Sequence, residues 1–296
     1  DPFPQNQDTN RVDAGLVIER PVGNWGYAQV RASGTQQSHD HRFGTLLEQD
    51  EHETMLVETS LSGETSSVSW VGGFAYQADS YDSDTFPVFD YNYDAPALFV
   101  QVDQDLGPEL SYAASARWDD HSEYGGQFSP RLSLLYRPGP WTIRASWGRG
   151  FYAPTPFLEE TEAAGLSRLE PLTGLVAETA DTLSLDIGYA SGALETGLTL
   201  FASDIDDAMR LQTVAADRVQ LVNQNGVTRT RGVEALLRWR RAPYVITASY
   251  LYLDASEPLV DTAGYRSVPL TPRHSAGIVA MWEEHDRGRV GLELYY

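Results

Sequence analysis

The chain has 296 residues, of which 42% are apolar and 11% aromatic, and it carries a net charge of −21. This acidic balance argues against a general nucleic-acid binder, because phosphate groups are bound by basic stripes. Cysteine and lysine do not occur, so all 21 basic residues are arginines. No run of 18 consecutive apolar residues occurs either, which excludes a transmembrane helix at the level of sequence.

Apolar and polar residues alternate along most of the chain, which predicts β-strands with one apolar face. The runs last about ten residues, the length that a tilted strand needs to cross the hydrocarbon layer of a membrane. The clearest apolar series run, at every second residue, from Leu110 to Trp118, Phe128 to Tyr136, Trp141 to Trp147, Leu183 to Tyr189, Val233 to Trp239, Tyr244 to Tyr252, Ala276 to Trp282 and Val290 to Tyr296.

Two further features favour a membrane barrel over a soluble sandwich. Aromatic residues such as Trp118 and Trp239 stand at the ends of the apolar series, as in the interfacial girdles of barrels. The opposite faces carry charges in mid-strand, such as Arg117, which would be costly in a sandwich core but are favourable facing a wet lumen. The sequence therefore predicts an all-β fold, a transmembrane antiparallel β-barrel.

Short connections alternate with long ones along the predicted strands. The short ones fall near residues 21–24, 62–65, 106–109, 137–140, 190–193, 241–243 and 284–288. The long ones fall near residues 35–52, 79–92, 119–127, 152–178, 204–224 and 254–270. This count implies about fourteen strands, and the side with long loops is expected to be extracellular.

A series of motifs in the last two-thirds of the chain resembles the barrel of TonB-dependent outer-membrane receptors. Each motif is weak alone, but their order is specific to that family, and residues 1–91 fit by alternation only. The motifs are Arg117-Trp118-Asp119, Ser129-Pro130-Arg131, Gly148-Arg149-Gly150-Phe151-Tyr152-Ala153-Pro154, the strand entry at Glu178, Arg231-Gly232-Val233-Glu234 and the strand entry from Pro269 to His274.

The resemblance implies that residues 1–296 are part of one transmembrane β-barrel domain of roughly 22 strands in a Gram-negative outer membrane. The plug domain, the energy-coupling box and the last strands of such a receptor are not visible. We therefore expect a fragment, which alone would form an open, incomplete sheet. Gly148, Gly150 and Gly232 are expected to allow close backbone approach or a bend in the wall.

The same resemblance implies active uptake of a scarce ligand. Extracellular loops, chiefly 35–52, 79–92 and 152–178, would capture it, and the TonB complex would open the plug through the missing N-terminal region. Ferric siderophores come first by frequency in the family and cobalamin next, although acidic loops do not suit an anionic ferric siderophore. The expected partners are these ligands, TonB and outer-membrane lipid; no cofactor is expected.

Candidate site residues are of three kinds. Aromatic residues could stack on a flat ligand or pack loop against loop; histidines could bind a divalent metal or stand in solvent, and we predict no metal site. Lumenal charges could meet the ligand or the plug. The ligand-binding candidates are Tyr81, Phe86, Tyr91, Tyr152, Phe157, His39, His41, His121, Arg117 and Arg144, and the structural, plug-facing candidates are Arg131, Glu234 and Arg238.

Two other functions stay open at this point. A passive porin or structural barrel predicts a smaller barrel closed by pairing of its first and last strands. A barrel enzyme predicts a serine and a histidine within hydrogen-bond reach at the edge of the lumen. No phosphate loop, zinc motif or nucleophile elbow occurs in the sequence, so we predict that the chain is not an enzyme.

Overall fold

The computed structural model describes residues 5–24, 26–157, 165–259 and 263–296, which are almost entirely β-strand. Two short 3-10 turns interrupt the loops, at Pro87–Phe89 and Leu166–Arg168. In these ranges no helix has both the length and the apolar character to cross a membrane. The strands are β1 (Gln5–Val22), β2 (Gly26–Phe43), β3 (Leu46–Glu64), β4 (Val68–Ser83), β5 (Tyr91–Asp105), β6 (Leu110–His121), β7 (Gly125–Tyr136), β8 (Trp141–Tyr152), β9 (Glu178–Ser191), β10 (Leu194–Asp206), β11 (Met209–Ala215), β12 (Arg218–Asn223), β13 (Thr228–Arg241), β14 (Tyr244–Pro258), β15 (Tyr265–Ser267), β16 (His274–Glu284) and β17 (Gly288–Tyr295).

Fourteen of these strands form the wall, which confirms the predicted number. They pair antiparallel in the order β1 to β10, then β13, β14, β16 and β17. Strand β15 pairs only with the last three residues of β14, and β11 and β12 form a separate hairpin. Strands β1 and β17 lie at opposite ends of this order, so the sheet is not closed by their pairing, as the porin hypothesis required.

The alternation sorts side chains onto two faces as predicted, because direct cross-strand partners share a face. On the outer face Leu98 lies opposite Trp118, and Trp118 lies opposite Phe128. All three side chains are largely exposed, as lipid-facing residues are in an isolated chain. On the inner face Arg117 lies opposite Phe99 and Ser129. Polar residues therefore line the lumen, and apolar residues face outward.

The first strands rise well above the apolar band, and here the predicted loop 35–52 was wrong. On the outer face of β2, Ala28, Val30 and Ala32 are followed by polar residues from Gln36 onwards. Pairing with β3 nevertheless continues to the turn at Gly44, whose φ is 60°. A strand wetted on both faces keeps its hydrogen bonds while losing its apolar alternation, which is why the sequence suggested a loop.

Other long connections also contain more structure than expected. Strands β6 and β7 meet in a turn of residues 122–124, so the predicted long loop 119–127 was wrong. The connection 204–224 is mostly the β11–β12 hairpin. The connection 152–178 stays irregular in its described parts and bridges from Leu169 to Val219 of that hairpin; its residues 158–164 lie outside the described residues.

Glycine on the inner face makes room for large neighbours from the next strand. A Cβ at Gly232 would collide with the ring of Phe201 and with a backbone oxygen of β14. A Cβ at Gly148 would lie 3.4 Å from the side-chain stem of Arg131. Both positions confirm the predicted close approach, whereas the space around Gly150 is open, so close approach is not the reason for glycine there.

Candidate functional site

Aromatic side chains form a continuous wall at the long-loop end of the inner face. The rings of Tyr91 and Tyr93, two residues apart on β5, stack with centroids 4.5 Å apart and planes 16° apart. Tyr81 of β4 stacks on Tyr91 at 5.9 Å. At the other side, Tyr93 meets His121 of β6 at 5.1 Å and Tyr124 at 5.9 Å. Strand register thus places aromatic residues from four consecutive elements side by side.

A carboxylate stands inside this wall and ties two of its rings together. Asp79 Oδ1 lies 2.8 Å from His52 Nε2, and it accepts the hydroxyl of Tyr91 at 3.1 Å. Residues 79 and 81 share the inner face of β4 because side chains alternate along a strand. Burial, helped by the Asp79 charge, raises the pKa of Tyr91, so its phenol stays a neutral hydrogen-bond donor.

The connection after β8 covers one side of this row of aromatic side chains. Phe157 lies edge-on against Tyr81 with centroids 4.5 Å apart and stacks on His52 at 5.9 Å. Pro154 and Pro156 before it are fully buried, and the carbonyl of Pro154 accepts the hydroxyl of Tyr124 at 2.9 Å. This part of the connection is therefore anchored to the barrel wall at both ends of the aromatic row.

Between the wall and this connection lies a cavity of about 330 Å³, which we call the aromatic cavity. Its volume is at the lower end of the range for small-molecule sites. The residues that line it and matter below are His52, Asp79, Tyr91, Tyr93, Asp94, Asp119, His121, Tyr152 and Phe157. The cavity lies level with the polar ends of the strands, and it is therefore placed above the lipid-facing band.

Two basic side chains beside the aromatic cavity are already held by local partners. Asp119 is only 5% exposed, and Arg117 binds it through Nε and Nη2 at 2.7 to 3.0 Å. Burial lowers the pKa of His121, and its Nδ1 accepts two backbone N–H groups at 3.2 and 3.3 Å. Arg117 is thus occupied by Asp119, and His121 is held as a neutral acceptor.

A second hollow lies on the same inner face toward the short turns, and we call it the arginine hollow. Its volume is about 700 Å³. Arg131, Arg137 and Arg144 line it together with three acidic residues, Glu64, Asp103 and Asp105. The only one of these pairs within 4.0 Å in the described chain is Arg137 with Asp105. Both Arg131 and Arg144 therefore offer guanidinium groups to the lumen.

Six of the predicted candidates lie in or directly beside the aromatic cavity. Tyr91, His121, Tyr152 and Phe157 line the aromatic cavity, Tyr81 stands behind them, and Arg117 lies next to them. Their roles in binding stay predictions. Asp79 and Tyr124 were not among the candidates; the signal for Asp79 was its place two residues before Tyr81 in an alternating run.

The other candidates do not line the aromatic cavity. His39 pairs with Asp50 at 2.9 Å on β2 and β3, and His41 lies opposite Glu48, so both are strand residues above the cavity. Among the described residues no cluster of three or more possible ligands could hold a metal. Phe86 packs against the apolar cluster behind the aromatic cavity, which includes Tyr81 and is also met by Tyr91 and Phe157.

The predicted plug-facing residues all lie on the inner face. Arg131 and the ligand candidate Arg144 belong to the arginine hollow. Glu234 lies between Thr199 and Leu251 in the register of β10, β13 and β14. Arg238 lies 4.0 Å from Glu195 of the neighbouring strand. Contact of these side chains with a plug stays a prediction.

Comparison with known proteins identifies the family. All of residues 1–296 match the family model described as TonB dependent receptor-like, beta-barrel. The chain belongs to this family. A TonB-dependent receptor barrel lies in the Gram-negative outer membrane, which agrees with the two faces of the wall.

Individual relatives agree with this assignment. The iron-regulated outer membrane virulence protein of Vibrio cholerae serotype O1 is 27% identical over 219 residues, 68% of this chain and 33% of that protein. The chain thus spans about a third of the length of the curated relatives that it matches.

Solved structures of a siderophore receptor and a hemophore receptor share the fold. The siderophore receptor PirA from Acinetobacter baumannii aligns with a TM-score of 0.78 at 14% identity, covering 97% of this chain and 50% of PirA. The hemophore receptor HasR of Serratia marcescens, solved with its hemophore and heme, aligns with a TM-score of 0.78 at 12% identity, covering 98% and 58%.

Proposed function

We propose that this chain is the wall of a TonB-dependent receptor that imports an iron-carrying ligand, with the aromatic cavity as part of the entry site. The observation that carries the proposal is the position of the cavity: it lies on the inner face of a barrel of this family, at the long-loop end. A ligand arriving from outside the cell meets this end first.

Relatives support iron as the cargo. The matched Vibrio cholerae protein is named for regulation by iron, and PirA is described as a siderophore receptor. A ferric siderophore is therefore our first ligand class, and a cobalamin-like ligand comes second. The energy would come from the TonB complex, acting through a plug that lies outside this chain.

The other two functions have less support. A passive porin needs a closed barrel from these strands, and the sheet order does not join β1 to β17. A barrel enzyme needs a serine beside a histidine; the described contacts pair His39 with Asp50, His52 with Asp79 and His274 with Tyr250 instead. We therefore propose that the chain has no catalytic role.

Uptake of labelled iron tests the proposal. The complete receptor gene is expressed in a Gram-negative host without its own siderophore and cobalamin receptors, and cells are offered a panel of siderophores loaded with labelled iron and, separately, cobalamin that carries labelled cobalt. Saturable accumulation that disappears when TonB is deleted is the expected result. Unsaturable accumulation that does not need TonB would support a porin and overturn the proposal.

A further inference from the structure

The lining of the aromatic cavity holds three aspartates, and its basic side chains are histidines, of which His52 bonds Asp79. Asp79, Asp94 and Asp119 line it, and within the described residues no arginine does. The guanidinium of Arg117 is held by Asp119 through three hydrogen bonds. Because Asp119 is paired, Asp79 is the inner-face carboxylate that gives the cavity negative charge.

The two carboxylate oxygens of Asp79 differ in their hydrogen bonding. Its Oδ1 takes both local bonds, from His52 and from Tyr91. In the described part of the chain no hydrogen bond ends on Oδ2. The side chain of Asp79 is 25% exposed, so that oxygen is within reach of a molecule in the cavity.

The remaining walls are aromatic rings with neutral hydroxyls. Burial raises the pKa of Tyr91 and Tyr93, so these phenols do not ionise at neutral pH. The faces of aromatic rings carry partial negative charge and attract cations. Rings and a carboxylate around one space are the groups that recognise ammonium ions.

We infer that the aromatic cavity binds a positively charged nitrogen group of the imported ligand, an ammonium or a guanidinium. The inference rests on the proposed function and narrows its ligand class. Asp79 binds the charge, and Tyr91, Tyr93 and His52 surround it. An anionic group is repelled by Asp79, so the metal-binding anionic part of a siderophore has to bind outside this cavity.

Choline and its uncharged isostere 3,3-dimethylbutan-1-ol test the inference, because they differ in charge and hardly in shape. Each is titrated into the purified complete receptor, and binding is read from protein fluorescence and from saturation-transfer NMR. We expect choline to bind about tenfold more tightly than the isostere, the size of a desolvated cation–π contact. Equal binding of the two probes would overturn the inference.

Matched variants locate the site. Asp79→Asn keeps the shape and the acceptor for His52 but removes the charge, so choline binding should weaken about tenfold while the isostere is unaffected. Asp82→Asn, on the exposed outer side of the same strand, is the control and should bind choline normally. Tyr93→Leu should weaken choline binding, and Tyr93→Phe, which keeps the ring, should not.

The result separates this inference from the proposed function. A receptor that imports iron complexes through TonB but binds choline no better than its isostere refutes the cation site and leaves the function intact. A receptor that binds choline through Asp79 but imports no iron complex refutes the function and keeps the cation site. Tighter binding of 2,3-dihydroxybenzoate than of choline at the same site also refutes the inference.

Discussion

The two hollows on the inner face of this wall differ in charge. The aromatic cavity at the loop end is lined by carboxylates and rings, and its neighbouring arginine is bound to Asp119. The arginine hollow at the turn end is lined by three arginines and three acidic residues. The inner face of one sheet therefore carries two hollows of different chemistry. We expect the ligand to contact the aromatic cavity at the long-loop end and the plug to contact the arginine hollow at the short-turn end.

The largest expected effect comes from a substitution that leaves an unpaired arginine beside the aromatic cavity, as in the arginine hollow. Asp119→Asn leaves Arg117 without its partner, so a free guanidinium stands beside the aromatic cavity. Breaking a partly buried ion pair should cost about 2 kcal/mol of unfolding free energy, and choline binding should be lost. Denaturant unfolding in detergent and the choline titration measure both effects.

The double variant is the control for that experiment. Arg117→Gln with Asp119→Asn removes the unpaired charge, so choline binding should return while Asp79 is intact. If the single and double variants bind choline equally, charge does not decide what the upper cavity accepts, and the contrast between the two hollows has no functional meaning.

The lower hollow should respond in the opposite way. Arg131→Gln with Arg144→Gln should leave choline binding within about twofold, because both side chains lie away from the aromatic cavity. Iron uptake by cells should fall at least tenfold, since each charge-assisted bond to a plug contributes about 1.5–3 kcal/mol and about 1.4 kcal/mol corresponds to tenfold. Normal uptake would argue against plug contact at these arginines.

A buried carboxyl group at the long-loop end, on Glu48, should make the stability of the protein depend on pH. Glu48 is 7% exposed, and burial together with Asp50 raises the pKa of its carboxyl. The folded state disfavours the charged form of Glu48, which lowers the free energy of unfolding. This loss is absent below the pKa of the Glu48 carboxyl in the unfolded chain, and it grows as the pH rises above that pKa. Glu48→Gln should therefore stabilise by about 1 kcal/mol at pH 8 and not at pH 4.

Thermal unfolding at both pH values measures this, with Glu53→Gln as the control. Glu53 lies on the exposed outer side of the same strand, so its substitution should change nothing at either pH. Equal stabilisation of the Glu48 variant at pH 4 and pH 8 would show that ionisation is not the cause.

The smallest effect is expected at Gly148. A Cβ there meets the stem of Arg131 at 3.4 Å, so Gly148→Ala requires a shift of a few tenths of an ångström. We expect a loss below about 1 kcal/mol. Gly232→Ala should cost more, because Phe201 and a rigid backbone oxygen occupy the space. Similar losses at both sites would mean that these glycines are not needed for packing.

Sequence reasoning predicted the wall well and the extracellular end poorly. Alternation marked the apolar faces from Leu110 onwards because lipid demands apolar side chains on every second residue. Above the lipid both faces are wet, so the pattern vanished around His39 and His52 although the strands continue. The aromatic cavity depends on the register between the neighbouring strands β4, β5 and β6, which brings Asp79, Tyr93 and His121 together, and the alternation within one strand does not encode that register.

The most direct test of the account is whether the aromatic cavity opens to the cell exterior. This chain has no cysteine, so single cysteines can be placed at Tyr152, which lines the cavity, and at Ser66, in an exposed short turn. In the complete receptor, with any other cysteine replaced, intact cells are treated with a membrane-impermeant maleimide. The account predicts labelling at residue 152 only; labelling at residue 66 but not at 152 would contradict it.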